Sequence, residues 1–187
     1  MTEDRPRKRT SRGLKKKSKK AEKFVAKLHE FIVGNRQFRR KTRGMSEKQI
    51  QTELRPLIIR YLENHFAEAG FKDAVAKAND AFYWEGQEGK MGRARATTFG
   101  SRNYPDFIIE KPYKIAVEYK QSENGSIVKH GIGQSIMHTL CGDFDFVYYL
   151  FHDESKDKRI HKSRTNKTEA ATIDRMWEEF NVMIKFV

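Results

Sequence analysis

The chain predicts an α/β fold, a mixed central β-sheet flanked by helices, with a basic N-terminal extension. Two observations carry this. Segments with apolar residues at helical spacing alternate with short apolar runs of strand length, and the excess positive charge is confined to the first quarter of the 187 residues. Residues 1–20 hold almost no apolar side chains and are expected to be disordered in isolation. Phe24, Leu28, Phe31 and Ile32 then fit an amphipathic helix over 19–33, stopped by Gly34, and RQFRRKTRG from Arg36 reads as a basic linker. Ser46 and Gln49 form a capping-box pair ahead of Ile50, Leu54, Leu57, Ile58, Leu62 and Phe66, which gives a long helix to Gly70. Pro56 must kink that helix or delay its start to about Thr52.

Beyond it, Phe71 to Lys77 is a candidate strand, and Glu85 to Gly100, with four glycines, reads as a flexible basic loop. Asp106–Glu110 and Lys114–Lys120 carry clear strand signals around a Lys-Pro-Tyr connection, which fits a hairpin. A helix over about 129–140 follows. Phe144 to Phe151 reads as a buried strand, Thr168 can cap a helix to Phe180, and VMIKFV is the last strand.

Residues 1–44 hold 17 Lys or Arg and 4 acids, so the net +13 of the chain resides there and residues 45–187 sum to zero. This divides the chain into a basic tail with a short helix, 1–44, and a folded domain, 45–187. Polyanions are the natural partner of such a tail, because each neutralised phosphate releases counterions, and Lys15, Lys16 and Lys17 sit in its densest run. A solvated solubility tail or a nuclear-type address is the competing reading. The single cysteine excludes a disulfide framework, and no Cys/His cluster suggests structural zinc. The longest apolar run, Phe146 to Phe151, is far short of the roughly 20 residues of a spanning helix. A non-secreted protein is expected, in a cytoplasm or a host-cell interior, with no membrane partner.

Strand alternation places Ile115, Val117 and Tyr119 on one face and Ala116, Glu118 and Lys120 on the other. Asp106, just after Pro105, starts the preceding strand, and hairpin pairing brings it beside Glu118. Two converging carboxylates repel unless a hard cation lies between them, which makes an oxygen site for Mg²⁺ or Mn²⁺. Lys120 could orient or help deprotonate a bound water. A surface salt bridge, with Asp106 as a turn residue, fits the same spacing.

The run Pro105, Asp106, eleven residues, Glu118, Tyr119, Lys120 resembles the signature of the PD-(D/E)XK nucleases, in particular their Holliday-junction-resolvase-like and archaeal-virus branches. The resemblance extends in element order over roughly 46–151. It implies a restriction-endonuclease-like core in which Asp106, Glu118 and the main-chain carbonyl of Tyr119 bind metal while Lys120 acts on the attacking water. It further implies a site-facing Gln in the following helix, for which Gln134 is the candidate, and a Glu on the first helix, for which the candidate is Glu53 rather than Glu63. On the helix after the motif, Ile132, Ile136 and Leu140 can form the core stripe, with His130, Gln134 and His138 on another face; His138 is expected to be a surface or supporting residue. Arg93, Arg95 and Arg102 would suit phosphate contacts in the loop before Asp106, or else be solvated. The implied activity is Mg²⁺-dependent DNA endonuclease, structure-selective as a junction resolvase or nickase and homodimeric, since symmetric junction cutting requires two sites. Alternatives are a restriction-like or repair nuclease on linear duplex, and a noncatalytic nucleic-acid-binding protein.

Overall fold

The computed structural model describes residues 19–42, 44–87, 96–98, 101–141 and 144–187, with the main chain only at 96–98, 101–103 and 141. The elements run α1 (Lys19–Gly34), α2 (Arg36–Lys41), α3 (Glu47–Glu68), α4 (Ala74–Ala81), β1 (Phe82–Trp84), β2 (Ala96–Thr98), β3 (Ser101–Asn103), β4 (Phe107–Ile109), β5 (Ile115–Ser122), α5 (Gly125–Cys141), β6 (Phe146–Asp153), α6 (Lys167–Phe180) and β7 (Val182–Phe186), with a 3-10 turn at His161–Thr165. The main sheet has the order β1-β4-β5-β6-β7. Its β1, β4 and β5 are antiparallel neighbours, whereas β5, β6 and β7 run parallel. This is the mixed, helix-flanked α/β sheet that the alternation of periods predicts. Strands β2 and β3 form a separate two-stranded ribbon.

The sheet is covered on both faces. On one, Ile115, Val117, Tyr119, Tyr148 and Leu150 pack with α1 and α3; on the other, Ala116, Val147, Tyr149, Phe151 and Ile184 lie under α5 and α6. Helix α1 belongs to this packing and is not an appendage of a tail. Its stripe Ala21, Phe24, Val25, Leu28 and Ile32 is buried in the core, Tyr61 Oη of α3 donates to the Phe24 carbonyl (2.8 Å), and His29 Nδ1 meets Tyr148 Oη of β6 (3.0 Å). The first core layer therefore begins well before residue 45.

Several local expectations are corrected. The stretch after Gly34 is not a linker: Asn35 caps α2 by accepting from the Phe38 N–H (2.8 Å), and Phe38 is buried. Helix α3 starts where the Ser46–Gln49 pair places it, with Gln49 Oε1 accepting from the Ser46 N–H (2.8 Å), and it continues through Pro56. Thr52 and Pro56 are exposed, so the carbonyl that proline leaves without an N–H partner faces water rather than core. The expected strand 71–77 is instead a turn entering α4; Ala74, Ala78 and Ala81 lie at helical spacing, and Ala78 and Ala81 are buried while Val75 is exposed. The cap of α6 is Asn166, accepting from the Thr168 and Glu169 N–H groups (3.0 and 3.2 Å), two residues before the expected Thr168.

Candidate active site

Asp106 and Glu118 meet because of where β4 stops. The β4–β5 ladder pairs Phe107 with Val117, and the residue before Asp106 is Pro105, which has no N–H to continue it. The next β5 N–H on that side belongs to Tyr119, and Asp106 Oδ2 accepts it at 2.7 Å. The side chain of Asp106 thus replaces a ladder bond, while its carbonyl accepts from the Glu85 N–H (3.0 Å) beside β1. The N–H and C=O of one strand residue leave on the same side, so the Tyr119 carbonyl is also directed toward β4 and Asp106.

Glu118 lies on the α5 face of β5, only 2 % exposed, and Asp106 is 8 % exposed. From α5, His138 Nε2 meets Glu118 Oε1 at 2.5 Å. Of the two readings of His138, surface or supporting, the structure favours the second: it is buried and fixes one oxygen of the glutamate. Ile132 and Ile136 of the expected stripe pack against the core, but α5 is turned so that Leu140 does not. Gly131, Ser135 and His138 form its buried line, whereas Leu140 is 59 % exposed. Gly131 sets that rotation, because a Cβ there would overlap the Tyr149 phenol ring, and Tyr149 is the ladder partner of Glu118.

Lys120 and Gln121, at the end of β5, hold the start of α3. Lys120 Nζ pairs with Glu47 Oε1 (3.1 Å), and Gln121 Nε2 donates to the Met45 carbonyl (2.9 Å). The acid of the first long helix that joins this cluster is Glu47, the first residue after the Ser46 cap. Glu53 pairs instead with Lys41 (2.7 Å). Six residues along a helix is 600°, well away from the same face, so only one of the two can reach Lys120. The capping box was the available signal, since it marks where the helix N-terminus, and hence Glu47, must be brought to a neighbouring strand.

The electrostatics follow from burial of like charges. Burial, then the neighbouring Glu118, pushes the Asp106 carboxyl up to about 7; Lys120 and the Tyr119 N–H oppose the rise and Glu47 adds to it. Burial alone would lower Lys120, but the carboxylates of Asp106, Glu47 and Glu118 outweigh it and hold the ammonium above the usual lysine value. A lysine so held donates hydrogen bonds and does not take a proton, which narrows its expected part to orienting and charge compensation in the cation-free protein.

Oxygen donors suited to a hard cation are present. The hydrogen bonds above use Asp106 Oδ2 and Glu118 Oε1, and Gln134 Oε1, one helical turn before His138, is buried with no hydrogen-bond partner among the described residues. An orphaned buried amide oxygen costs about 1–3 kcal/mol unless a cation or water takes it, and with the two carboxylates it makes the kind of oxygen-donor set a divalent ion takes. Among the described residues no group of three or more His, Cys, Asp and Glu is arranged to hold a metal, so such a site relies on amide and main-chain oxygens beside the two carboxylates. Arg93, Arg95, Lys15, Lys16 and Lys17 lie outside the described residues, as does the side chain of Arg102. No helix among the described residues is long and apolar enough to cross a membrane. No protein-family model, curated protein or solved structure matches this chain, so the reading of the site rests on its own residues.

Proposed function

We propose that this chain is a divalent-cation-dependent DNA endonuclease with a restriction-endonuclease-like core of the PD-(D/E)XK kind. The observation that carries the reading is the pairing of buried Asp106 with buried Glu118 across the end of β4, with Lys120 two residues beyond Glu118 and held charged. Asp106, Glu118 and the Tyr119 carbonyl would hold Mg²⁺ or Mn²⁺, with Gln134 as a further oxygen donor. Bound there, the ion supplies Lewis acidity toward a phosphodiester and an acidified water. The residues of the chain do the rest. The Tyr119 N–H keeps Asp106 in place, His138 keeps Glu118 in one rotamer, and the Lys120 ammonium donates to phosphoryl oxygen as negative charge develops.

The same reading gives 5′-phosphate products, a preference for branched DNA and a homodimer, as the resemblance implies, with the basic first 44 residues adding phosphate contacts that do not depend on sequence. A binding-only protein is the second reading, favoured by the lack of a three-residue metal-holding group among the described residues. The test is cleavage of a panel of four-way junction, flap, duplex and single strand, with and without Mg²⁺. Mg²⁺-dependent cutting strongest on the junction supports the reading, equal cutting of linear duplex moves it to a repair or restriction-like enzyme, and binding without cutting of any substrate overturns it.

A further inference from the structure

The opposite face of the sheet carries a feature that the nuclease reading does not use. At the carboxyl ends of β5, β6 and β7, on the side covered by α1 and α2, lies a cavity of about 500 Å³. Arg39, Lys158, Arg164, His29, His152 and His161 are among the residues that line it. Phe38 and Tyr119 supply aromatic wall, and no aspartate or glutamate among the described residues lines it.

The basic groups are not spent on ion pairs. None of the three permanently charged residues is paired with a carboxylate among the described residues. Lys158 Nζ donates to the main-chain carbonyl of Asp153. The nearest buried acid, Asp153, is itself committed, its Oδ1 to the Ser155 N–H (2.9 Å) and hydroxyl (2.6 Å) and its Oδ2 to the His161 N–H (2.8 Å). Val187, which also lines the cavity, accepts from the Asp153 N–H through its main-chain oxygen (3.0 Å). Positive charge gathered around a concave, partly aromatic space suits an anionic ligand, and the volume suits a small molecule rather than a single ion.

We propose that this cavity is a metal-independent binding pocket for a small phosphorylated ligand, its phosphate held by Arg39, Lys158 and Arg164 and its ring or apolar part set against Phe38 and Tyr119. Guanidinium forks match the geometry of phosphate oxygens, and the collected charge suits a dianion better than a carboxylate. The imidazoles complete the set as donors. Burial first, then Lys185, Arg164 and His161, lowers His29 to about 4, and burial, then Lys158, lowers His152 against the opposing pull of Asp153. Both rings are therefore neutral at physiological pH in the empty pocket. His29 bonds Tyr148 Oη through Nδ1, and His152 meets Tyr119 Oη through Nδ1 (3.2 Å), which leaves the Nε2 of each for a ligand.

The experiment is calorimetric titration of the full chain, in chelator and without DNA, with inorganic pyrophosphate, AMP and adenosine. Because no metal and no nucleic acid is present, its outcome is independent of whether the Asp106 site hydrolyses anything. Pyrophosphate and AMP are expected to saturate one site and to compete, and adenosine not to bind. Arg39→Gln and Arg164→Gln, both at exposed positions that the fold does not need, should each weaken binding by about tenfold or more. Lys15→Gln with Lys16→Gln, which removes tail charge alone, should leave it unchanged. Absence of saturable binding up to on the order of 10 mM overturns the proposal. So does weakening by the tail substitutions with no effect of the two pocket substitutions, since that pattern is attraction to the tail.

Discussion

The two faces of β5 at its carboxyl half handle charge in opposite ways. On the α5 face the acids are buried and already engaged, Asp106 by the Tyr119 N–H and Glu118 by His138. On the α1 face the bases stand around an open cavity, and Arg39, Lys158 and Arg164 form no ion pair among the described residues. Tyr119 belongs to both, its N–H on Asp106 and its ring in the cavity wall. The contrast shows how differently a fold tolerates the two. A buried acid pair survives only when its oxygens are fixed and its protonation adjusted, as Asp106 displays, whereas exposed arginines and lysines remain hydrated and tolerate being unpaired until a ligand arrives. Fixed acids are prepared for a positive partner, and unpaired bases for a negative one.

The sharpest way to break the comparison is to remove one acid. Asp106→Asn or Glu118→Gln should abolish cleavage while leaving DNA binding intact or tighter, since each change removes a cation ligand and a charge that repels phosphate. Either variant cutting at near wild-type rate in single turnover places the chemistry elsewhere. Lys120→Ala should slow single-turnover cleavage on the order of 100-fold with cation affinity little altered, as expected of a group that acts mainly in the transition state; unchanged kinetics with lowered thermal stability would leave it as the partner of Glu47 alone. Gly131→Ala probes the packing that brings His138 to Glu118. A methyl pressed into the Tyr149 ring should cost about 1–3 kcal/mol in denaturant unfolding, and a neutral result would mean that α5 does not sit as closely on β6 as described.

A smaller effect follows from Asp106 itself. Its folded pKa lies above the ordinary carboxyl value, so the native state holds the proton more tightly than the unfolded chain. The contribution is fully present below about pH 4 and is lost as pH rises through about 7. Comparing the unfolding free energy of the cation-free wild type with that of Asp106→Asn should therefore show a difference that runs against the wild type between these limits, by roughly 2–4 kcal/mol at most. Identical pH profiles would mean that the carboxylate is not desolvated beside Glu118. Smallest of all, deleting residues 1–20 removes a net charge of +8 and should flatten the slope of log affinity against log salt for junction and duplex DNA alike.

Much of this was legible in the chain, and the reasons differ by element. The hairpin, β6, β7 and four long helices are readable because apolar periodicity and the Ser46–Gln49 pair are local signals. The pairing of Asp106 with Glu118 followed from register, which period-two alternation fixes. What escaped depends on contacts distant in the chain. Glu47 was passed over for Glu53 because the side chain that decides between them, Lys120, lies 73 residues away. The supporting reading of His138 holds, but its burial against Glu118 carries no local signal, because Gly131 packed against Tyr149 helps set the helix rotation. The segment 71–77 was read as strand because its alternation also satisfies a helical spacing of alanines, and burial of Ala78 and Ala81 selects the helix. The basic cavity had no sequence signal, since its lining comes from α1, α2, β5, β6, β7 and the turn before α6.

The central claim, that the buried carboxylates are a cation site, is tested most directly by calorimetric titration of Mn²⁺ into the DNA-free protein near pH 7, in buffers of different ionisation enthalpy. At that pH Asp106 is partly protonated, and a cation bound to it must displace the proton. The account predicts saturable binding with proton release, both lost in Asp106→Asn and binding lost in Glu118→Gln. Mn²⁺ binding of equal affinity and equal proton release in Asp106→Asn would contradict it.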